Sequence, residues 1–134
     1  MSFILDTNVI SAVRRAEMNP GVAAWLAAQT EADLFLSVVT LGEIERGIHL
    51  QRGRNPEFAD DLKIWLDRTV MLFADRILPF TAVDARVWGA LSARIGHSGA
   101  NLMIAAQGIA RDARIVTRNT SDFEPTGVGT FNPF

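Results

Sequence analysis

The opening stretch of the chain constrains the fold most strongly, because a short apolar run ends there in a carboxylate. Phe3-Ile4-Leu5 is apolar without alternation, which is typical of a central strand covered by helices on both faces. Asp6, followed by Thr7 and Asn8, then lies at the carboxyl end of that strand. Ligands of open parallel sheets bind at this edge. The stretch therefore predicts a buried strand that leads into a functional site at Asp6.

The composition excludes several kinds of site. A chain of 134 residues is long enough for one domain with a full hydrophobic core. It has no cysteine, so disulfides, thiolate nucleophiles and zinc–thiolate sites are excluded, and with two histidines a metal would need oxygen ligands. No apolar stretch is long enough to cross a bilayer, and no basic leader precedes an apolar segment. We therefore expect a soluble, cytoplasmic protein.

Apolar periodicity and capping residues predict alternating helices and strands. Asn19-Pro20 and Asn55-Pro56 each open a helix, because asparagine caps well and proline fits the first helical position. Thr81 to Asp84 resembles a capping box. The order of elements implies right-handed crossovers and a three-layer α/β/α fold with a parallel sheet of about four or five strands. The predicted helices cover 9–15, 22–29, 40–51, 55–75, 81–95 and 102–106, and the predicted strands cover 3–5, 34–39, 77–80 and 114–117, with an edge strand within 127–134.

Three acids are predicted to share one edge of the sheet. Asp6 and Asp122 both follow parallel strands, and Glu43 is expected in the first turn of a helix that starts directly after the second strand. Carboxylates without a nearby lysine repel one another, and a hard divalent cation relieves that repulsion. Oxygen ligands suit Mg²⁺ or Mn²⁺. Such a site activates water and polarises a phosphodiester, which is the chemistry of metal-dependent nucleases.

Each acid also has a purely local explanation. Asp6 is a good N-cap, Thr40 and Glu43 have the spacing of a capping box, and Asp122 stands in a Ser-Asp turn. Capping and metal binding are compatible. The convergence of the three acids at one edge favours a functional site.

Five stretches, in order along the whole chain, resemble the PIN-domain ribonucleases of the VapC/FitB toxin type. They are Ile-Leu-Asp-Thr-Asn-Val (4–9), Leu-Gly-Glu-Ile-Glu-Arg-Gly (41–47), Leu-Met-Ile-Ala-Ala (102–106), Val-Thr-Arg-Asn-Thr-Ser-Asp-Phe (116–123) and Asn-Pro-Phe (132–134). The resemblance implies a PIN-like fold and a magnesium-dependent RNA endonuclease. It also implies a homodimer and an antitoxin partner whose tail enters the acidic cleft.

The resemblance assigns roles by position. It implies that the catalytic set is Asp6, Glu43, Asn101 and Asp122, with the metal held by Asp6, Asp122 and the residue at 101. It implies supporting roles for Thr7, Asn8, Thr117 and Asn119. Arginines near the predicted cleft are weaker candidates for RNA binding, because solvated surface charge explains each one equally well. These candidates are Arg14, Arg15, Arg46 and Arg118.

One position departs from the family pattern. The residue before Leu-Met-Ile-Ala-Ala is normally an aspartate, and here it is Asn101. An amide keeps the shape of a carboxylate and removes its charge, so weaker magnesium binding and weaker activation of water are expected. The sequence leaves open whether the asparagine arose naturally or was introduced to allow production of a toxic nuclease. It also leaves open a catalytically dead module that binds RNA or antitoxin without cleavage.

Other phosphoryl-transfer classes fit the sequence less well. Receiver domains and haloacid-dehalogenase-type enzymes also place an aspartate after the first strand of a similar sheet. The second class expects another acid two residues later, where this chain has Asn8. Both classes expect a lysine near the site, and the single lysine, Lys63, lies in the middle of a predicted amphipathic helix. The nuclease interpretation is therefore preferred.

Overall fold

A five-stranded parallel sheet forms the centre of the computed structural model, which describes residues 1–134. In chain order the strands are β1 (Phe3–Leu5), β2 (Leu34–Ser37), β3 (Ile77–Leu78), β4 (Arg114–Val116) and β5 (Thr130–Phe131). Their order across the sheet is β3-β2-β1-β4-β5, and every pair is parallel. The predicted parallel sheet, its central first strand and its edge strand near the end of the chain are thus confirmed.

Seven α-helices connect and cover the strands. They are α1 (Thr7–Val13), α2 (Pro20–Ala28), α3 (Val38–Arg52), α4 (Pro56–Phe73), α5 (Ala82–Ile95), α6 (Ala100–Arg111) and α7 (Thr120–Phe123). Short 3₁₀ turns occupy 16–18, 31–33, 74–76 and 124–126. None of the helices combines the length and the apolar character needed to cross a membrane.

The hydrophobic core has two parts, one on each face of the sheet. Leu5 belongs to the cluster formed with α1 to α4, and Ile4 belongs to the cluster formed with α5 and α6. Both side chains are at most 1% exposed, because successive residues of a strand point to opposite faces. This division confirms the predicted three layers, and it buries β1 at the centre of the molecule.

The boundary between β2 and α3 differs from the prediction. Ser37 ends the strand and caps the helix, since its hydroxyl accepts a hydrogen bond of 2.9 Å from the backbone N–H of Val39. Val38 and Val39 are therefore helical, although β-branched residues favour strands. The predicted place of Glu43 in the first turn is wrong, because the helix starts at Val38 and Glu43 lies in its second turn. The alternative explanation of Glu43 by a capping box with Thr40 is also wrong, because Thr40 lies inside the helix.

Smaller differences have similarly local causes. The first helix begins at Thr7 rather than at residue 9, because Asp6 caps it. The sixth helix begins at Ala100 and so includes Asn101 in its first turn. Residues 120–123 form the short helix α7 rather than a turn. By contrast, the capping box of Thr81 and Asp84 is confirmed, with both reciprocal hydrogen bonds present.

A buried ion pair joins α5 to α6. Both carboxylate oxygens of Asp84 accept hydrogen bonds from Arg111, at 2.6 and 3.1 Å. The Asp84 side chain is fully buried. Desolvation opposes its ionisation, but the hydrogen bonds from Arg111 and Thr81 and the charge of Arg111 outweigh that cost and lower the pKa of Asp84. The pair therefore stays charged and fixes the register of the two helices.

Candidate acidic site at the carboxyl edge of the sheet

Asp6 stands at the junction of β1 and α1, at the carboxyl edge of the sheet. Its backbone is extended, and its Oδ1 accepts a hydrogen bond of 2.8 Å from the backbone N–H of Thr7. The residue is 5% exposed, although it follows directly on the strand end. The N-terminal end of a helix favours negative charge, so α1 stabilises the carboxylate that caps it.

Thr117 and Asn8 hold the second oxygen of Asp6. The buried hydroxyl of Thr117 donates to Asp6 Oδ2 at 2.8 Å, and the side-chain amide of Asn8 donates to the same oxygen at 3.3 Å. Asn8 also donates to Thr117 Oγ1 at 3.2 Å. Its own Oδ1 accepts from the backbone N–H of Arg118 at 3.1 Å. The network ties the loop after β4 to the start of α1.

Glu43 is linked to this site through Thr7. The hydroxyl of Thr7 donates to Glu43 Oε1 at 2.7 Å and lies 3.4 Å from the hydroxyl of Thr40. A hydroxyl has one proton, so Thr40 is the donor in the longer pair when Thr7 donates to Glu43. Thr40 is fully buried, whereas Glu43 is exposed. Thr40 was not predicted as a site residue, although its position one helical turn before Glu43 places it on the same face.

Negative charge accumulates around Asp6. Burial raises the pKa of Asp6 above its ordinary value, the hydrogen bonds from Thr117 and Thr7 partly oppose the shift, and the charge of Asp122 adds to it. Asp122 is therefore close enough to act on Asp6. It lies on α7, is exposed and makes no side-chain hydrogen bond. A cation between these two acids would relieve their repulsion.

Of the two remaining predicted site residues, Asn119 joins this network through its backbone and Asn101 does not join it. Asn119 donates its backbone N–H to Thr117 Oγ1 at 3.0 Å, while its side chain is exposed. Asn101 is partly buried and makes no side-chain hydrogen bond to Asp6, Glu43 or Asp122. Its helix, α6, packs against α3 and α7, which carry those last two acids.

The side chains that could bind a metal here offer oxygen atoms, which suit a hard divalent cation. Their total negative charge is smaller than such a site needs. Carboxylate and amide oxygens are available at Asp6, Asp122 and Asn101, and such oxygens suit Mg²⁺ or Mn²⁺. However, no three or more His, Cys, Asp or Glu side chains lie together as a group that could hold a metal ion. The family's aspartate at position 101 would add the missing charge.

The predicted arginines are not equivalent. The Arg14 guanidinium lies over the rings of Phe58 and Trp65, at the end of α1 remote from Asp6. Arg15 and Arg46 are exposed. Arg118 alone among these four is bound into the Asp6 network, through its backbone N–H, and its guanidinium lies 4.0 Å from the centroid of the Phe134 ring.

The fold and this site define a class of protein. An all-parallel three-layer α/β/α domain carries a buried aspartate at the carboxyl end of its central strand, with a second acid nearby. The PIN domain family model matches residues 3–127, and the chain belongs to the PIN-domain family.

Two relatives show which branch of the family is similar. The VapC ribonuclease Y4jK of Sinorhizobium fredii is 34% identical over 138 residues, covering 98% of this chain and 96% of that protein. The toxin FitB of Neisseria gonorrhoeae is 33% identical over 137 residues, covering 98% of this chain and 97% of that protein. The predicted likeness to VapC/FitB-type toxins is confirmed.

Solved structures agree with this assignment. The crystal structure of FitAcB from Neisseria gonorrhoeae has a TM-score of 0.84 and 33% identity, covering 98% of this chain and 97% of that chain. The structure of FitAB bound to an IR36 DNA fragment has a TM-score of 0.82 and 32% identity, covering 98% of this chain and 94% of that chain. The predicted PIN-like fold is confirmed.

Proposed function

We propose that this protein is the toxin of a toxin–antitoxin pair and hydrolyses RNA phosphodiesters with the help of Mg²⁺ or Mn²⁺. The observation that carries the proposal is the buried carboxylate of Asp6, held by Thr117, Asn8 and the N-terminus of α1 beside the charge of Asp122. Burying a charge is costly, and a buried acid without a cationic partner is typical of functional sites, unlike Asp84, which is paired with Arg111. The ribonuclease name of the relative Y4jK supports RNA as the substrate.

The residues divide the chemistry of hydrolysis among them. Asp6 and Asp122, with the amide oxygen of Asn101, would hold the cation, which lowers the pKa of water and offsets charge on the phosphate when it is bound. Thr117 keeps Asp6 in one rotamer and favours its ionised form. Glu43, oriented by Thr7, orients the attacking water and takes its proton as the water oxygen bonds to phosphorus. The bond to the leaving oxygen breaks, and that oxygen takes a proton from solvent. Asn8 joins Thr117 to Asp6 and keeps both in place.

Asn101 reduces activity in this proposal. The amide offers one oxygen to a cation and supplies no negative charge, so the cation binds less tightly than it would with an aspartate. The raised pKa of Asp6 adds a pH dependence, since protons compete with the cation for this carboxylate as the pH falls.

A module that binds RNA or antitoxin without cleavage is the second candidate. The specific observation in its favour is that the acidic and imidazole side chains form no group of three that could hold a metal. The two candidates share the same fold and differ in one charge at position 101.

The decisive experiment is a cleavage assay on total RNA with Mg²⁺ or Mn²⁺. The proposal predicts weak cleavage by the chain itself, stronger cleavage by Asn101→Asp, and loss of that gain when Asp6→Ala is added. Asp61→Ala in the Asn101→Asp background is a matched control, because Asp61 is an exposed acid on α4. If Asn101→Asp cuts no RNA with either metal, the nuclease proposal fails and the binding module remains.

The proposed antitoxin follows from the same relatives, and the proposed homodimer follows from the resemblance of the sequence to the family. An antitoxin is proposed because the relative FitB is named a toxin, and the structures FitAcB and FitAB also match this chain. A homodimer is proposed as well, and light scattering should then give twice the chain mass of 14.7 kDa. We place the protein in the cytoplasm, where its proposed RNA substrate is found. A monomeric mass at micromolar concentration would contradict the dimer.

A further inference from the structure

The guanidinium of Arg118 has no ion-pair partner within the protein, although the residue lies beside the acidic site. Arginine and lysine form four ion pairs with carboxylates in the structure, and none of them includes Arg118. This holds although Asp122 is only four residues further along the chain. The guanidinium also donates no hydrogen bond within the protein, while the backbone of the same residue is fixed by Asn8. Its contact is instead with the ring of Phe134, at 4.0 Å from the centroid.

Two other arginines lie over rings: Arg14, at the end of α1 remote from Asp6, and Arg76, which provides a comparison. Arg76 lies 4.8 Å from the centroid of the Phe73 ring, but its N–H groups donate to the carbonyls of Glu31, Leu34 and Leu72. That arginine ties the start of β2 to the end of α4 and is structural. Arg118 has the same kind of aromatic contact with its N–H donors unused.

The segment that presents Phe134 is itself anchored. Phe131 in β5 stacks on Trp25 of α2, with ring centroids 5.2 Å apart. The backbone N–H of Phe134 donates to Asn132 Oδ1 at 2.9 Å, and Pro133 between them restricts the chain. The carbonyl of Pro133 lies against Gly21, where an added Cβ would be 3.1 Å away. These contacts fix the turn that places the ring of Phe134 against Arg118.

We infer that Phe134 is a positioning residue that holds Arg118 ready to bind a phosphate of the RNA strand beside Asp6. The inference rests on the proposed function. A ring contacts the face of a guanidinium, which leaves the in-plane N–H donors free for the two oxygens of a phosphate. The same contact keeps the arginine from pairing with Asp122 and limits the side-chain freedom lost on binding.

The test measures binding of a fluorescein-labelled, single-stranded RNA of mixed sequence by anisotropy, in EDTA and over a series of KCl concentrations. The variants are Arg118→Gln, Phe134→Leu, Phe134→Trp and the double variant Arg118→Gln/Phe134→Leu. Arg68→Gln controls for loss of one exposed positive charge remote from Phe134, on α4. The chemical shifts of the Arg118 Hδ protons, measured by NMR without RNA, report whether the ring lies over the guanidinium.

The expected pattern is specific to this arrangement. Arg118→Gln should reduce the slope of log K against log salt by about 0.7, as for one lost contact with a single-stranded phosphate. Phe134→Leu should weaken binding by about two- to fivefold, the range of an exposed cation–π contact. It should also abolish the upfield shift of the Arg118 Hδ protons, and Phe134→Trp should retain both properties. In the Arg118→Gln background, Phe134→Leu should cause no further loss.

Two results would overturn the inference, and each of them points to a different cause. Equal losses from Phe134→Leu with and without Arg118 would mean that the ring does not act through this arginine, while the proposed function would stand. No binding of the labelled RNA by the parent chain in EDTA would overturn this inference alone, because metal-dependent cleavage by Asn101→Asp decides the proposed function separately.

Discussion

Replacing Thr117 with valine removes one buried hydroxyl while keeping the shape of the side chain. That hydroxyl donates to Asp6 Oδ2 at 2.8 Å and accepts hydrogen bonds from the backbone N–H of Asn119 and the side chain of Asn8. Thr117 is fully buried, so water cannot replace the lost donor without rearrangement. The substitution therefore tests whether the ionised carboxylate of Asp6 depends on this single contact.

The expected loss follows from the chemistry of the bond. A hydrogen bond to a charged group contributes about 1.5–3 kcal/mol, and a bond between neutral groups contributes about 1 kcal/mol. Asn119 is an exposed residue and its backbone N–H can hydrogen-bond water instead, so we expect Thr117→Val to lower the free energy of unfolding by about 2–3 kcal/mol near neutral pH. Thr117→Ser keeps the hydroxyl and should cost about 1 kcal/mol for the lost methyl group.

The loss should also depend on pH. Burial already raises the pKa of Asp6, and removing the hydrogen bond from Thr117, which lowers that pKa, should raise it further. Because the unfolded states of the two proteins titrate alike, the penalty is complete above the pKa of Asp6 in the variant. It decreases as the pH falls through that pKa, since the protonated carboxyl needs the donor less.

Urea unfolding followed by tryptophan fluorescence measures the effect at neutral pH and at successively lower pH values. The free-energy difference between Thr117→Val and Thr117→Ser should be larger at the higher pH values. Equal stability of the two variants, or a difference that does not change with pH, would refute the dependence of the Asp6 carboxylate on the Thr117 hydroxyl.

Three further substitutions test the packing that supports the site. Arg111→Met leaves Asp84 buried without its partner and should cost about 3 kcal/mol at neutral pH; the loss should shrink as the pH falls through the pKa of Asp84 in the variant, which lies above its lowered pKa in the parent. Gly108→Ala places a Cβ 3.1 Å from the carbonyl of Ala113 and should destabilise by about 1–3 kcal/mol. Ser37→Ala removes the cap of α3 and should cost about 1 kcal/mol. Urea unfolding measures all three.

Each of these predictions has an outcome that would contradict it. A pH-independent loss in Arg111→Met would mean that the ion pair is not what the substitution removes. Parent-like stability of Gly108→Ala would show that α6 shifts away from β4 at little cost. For the helix cap, a loss in Ser37→Ala no larger than that in Ser37→Thr, which keeps a hydroxyl, would argue against capping by that oxygen.

Local sequence determined several elements of this fold correctly. The apolar run before Asp6 predicted the buried central strand, because a strand covered on both faces has apolar residues at successive positions. Pro20 and Pro56 marked the starts of α2 and α4, and Thr81 with Asp84 marked the start of α5. These signals are reliable because each depends on contacts within a few residues of the chain.

The start of α3 shows where local sequence fails. Val38 and Val39 have the β-branched side chains of a strand, yet they form the first turn of a helix capped by Ser37. Thr40 has the spacing of a cap relative to Glu43 and is instead buried below Thr7. Intrinsic preferences of about 1 kcal/mol or less per residue are easily outweighed by tertiary packing.

The sequence determined one part of the acidic site, and the tertiary structure determined the other. The sequence showed that Asp6 and Asp122 follow parallel strands and so approach one edge of the sheet. The tertiary structure decided that Thr117 donates to Asp6 from 111 residues away, and that Phe134 holds Arg118. Periodicity and capping report on neighbours along one element, whereas these contacts exist only because β1, β4 and β5 are adjacent in the folded sheet.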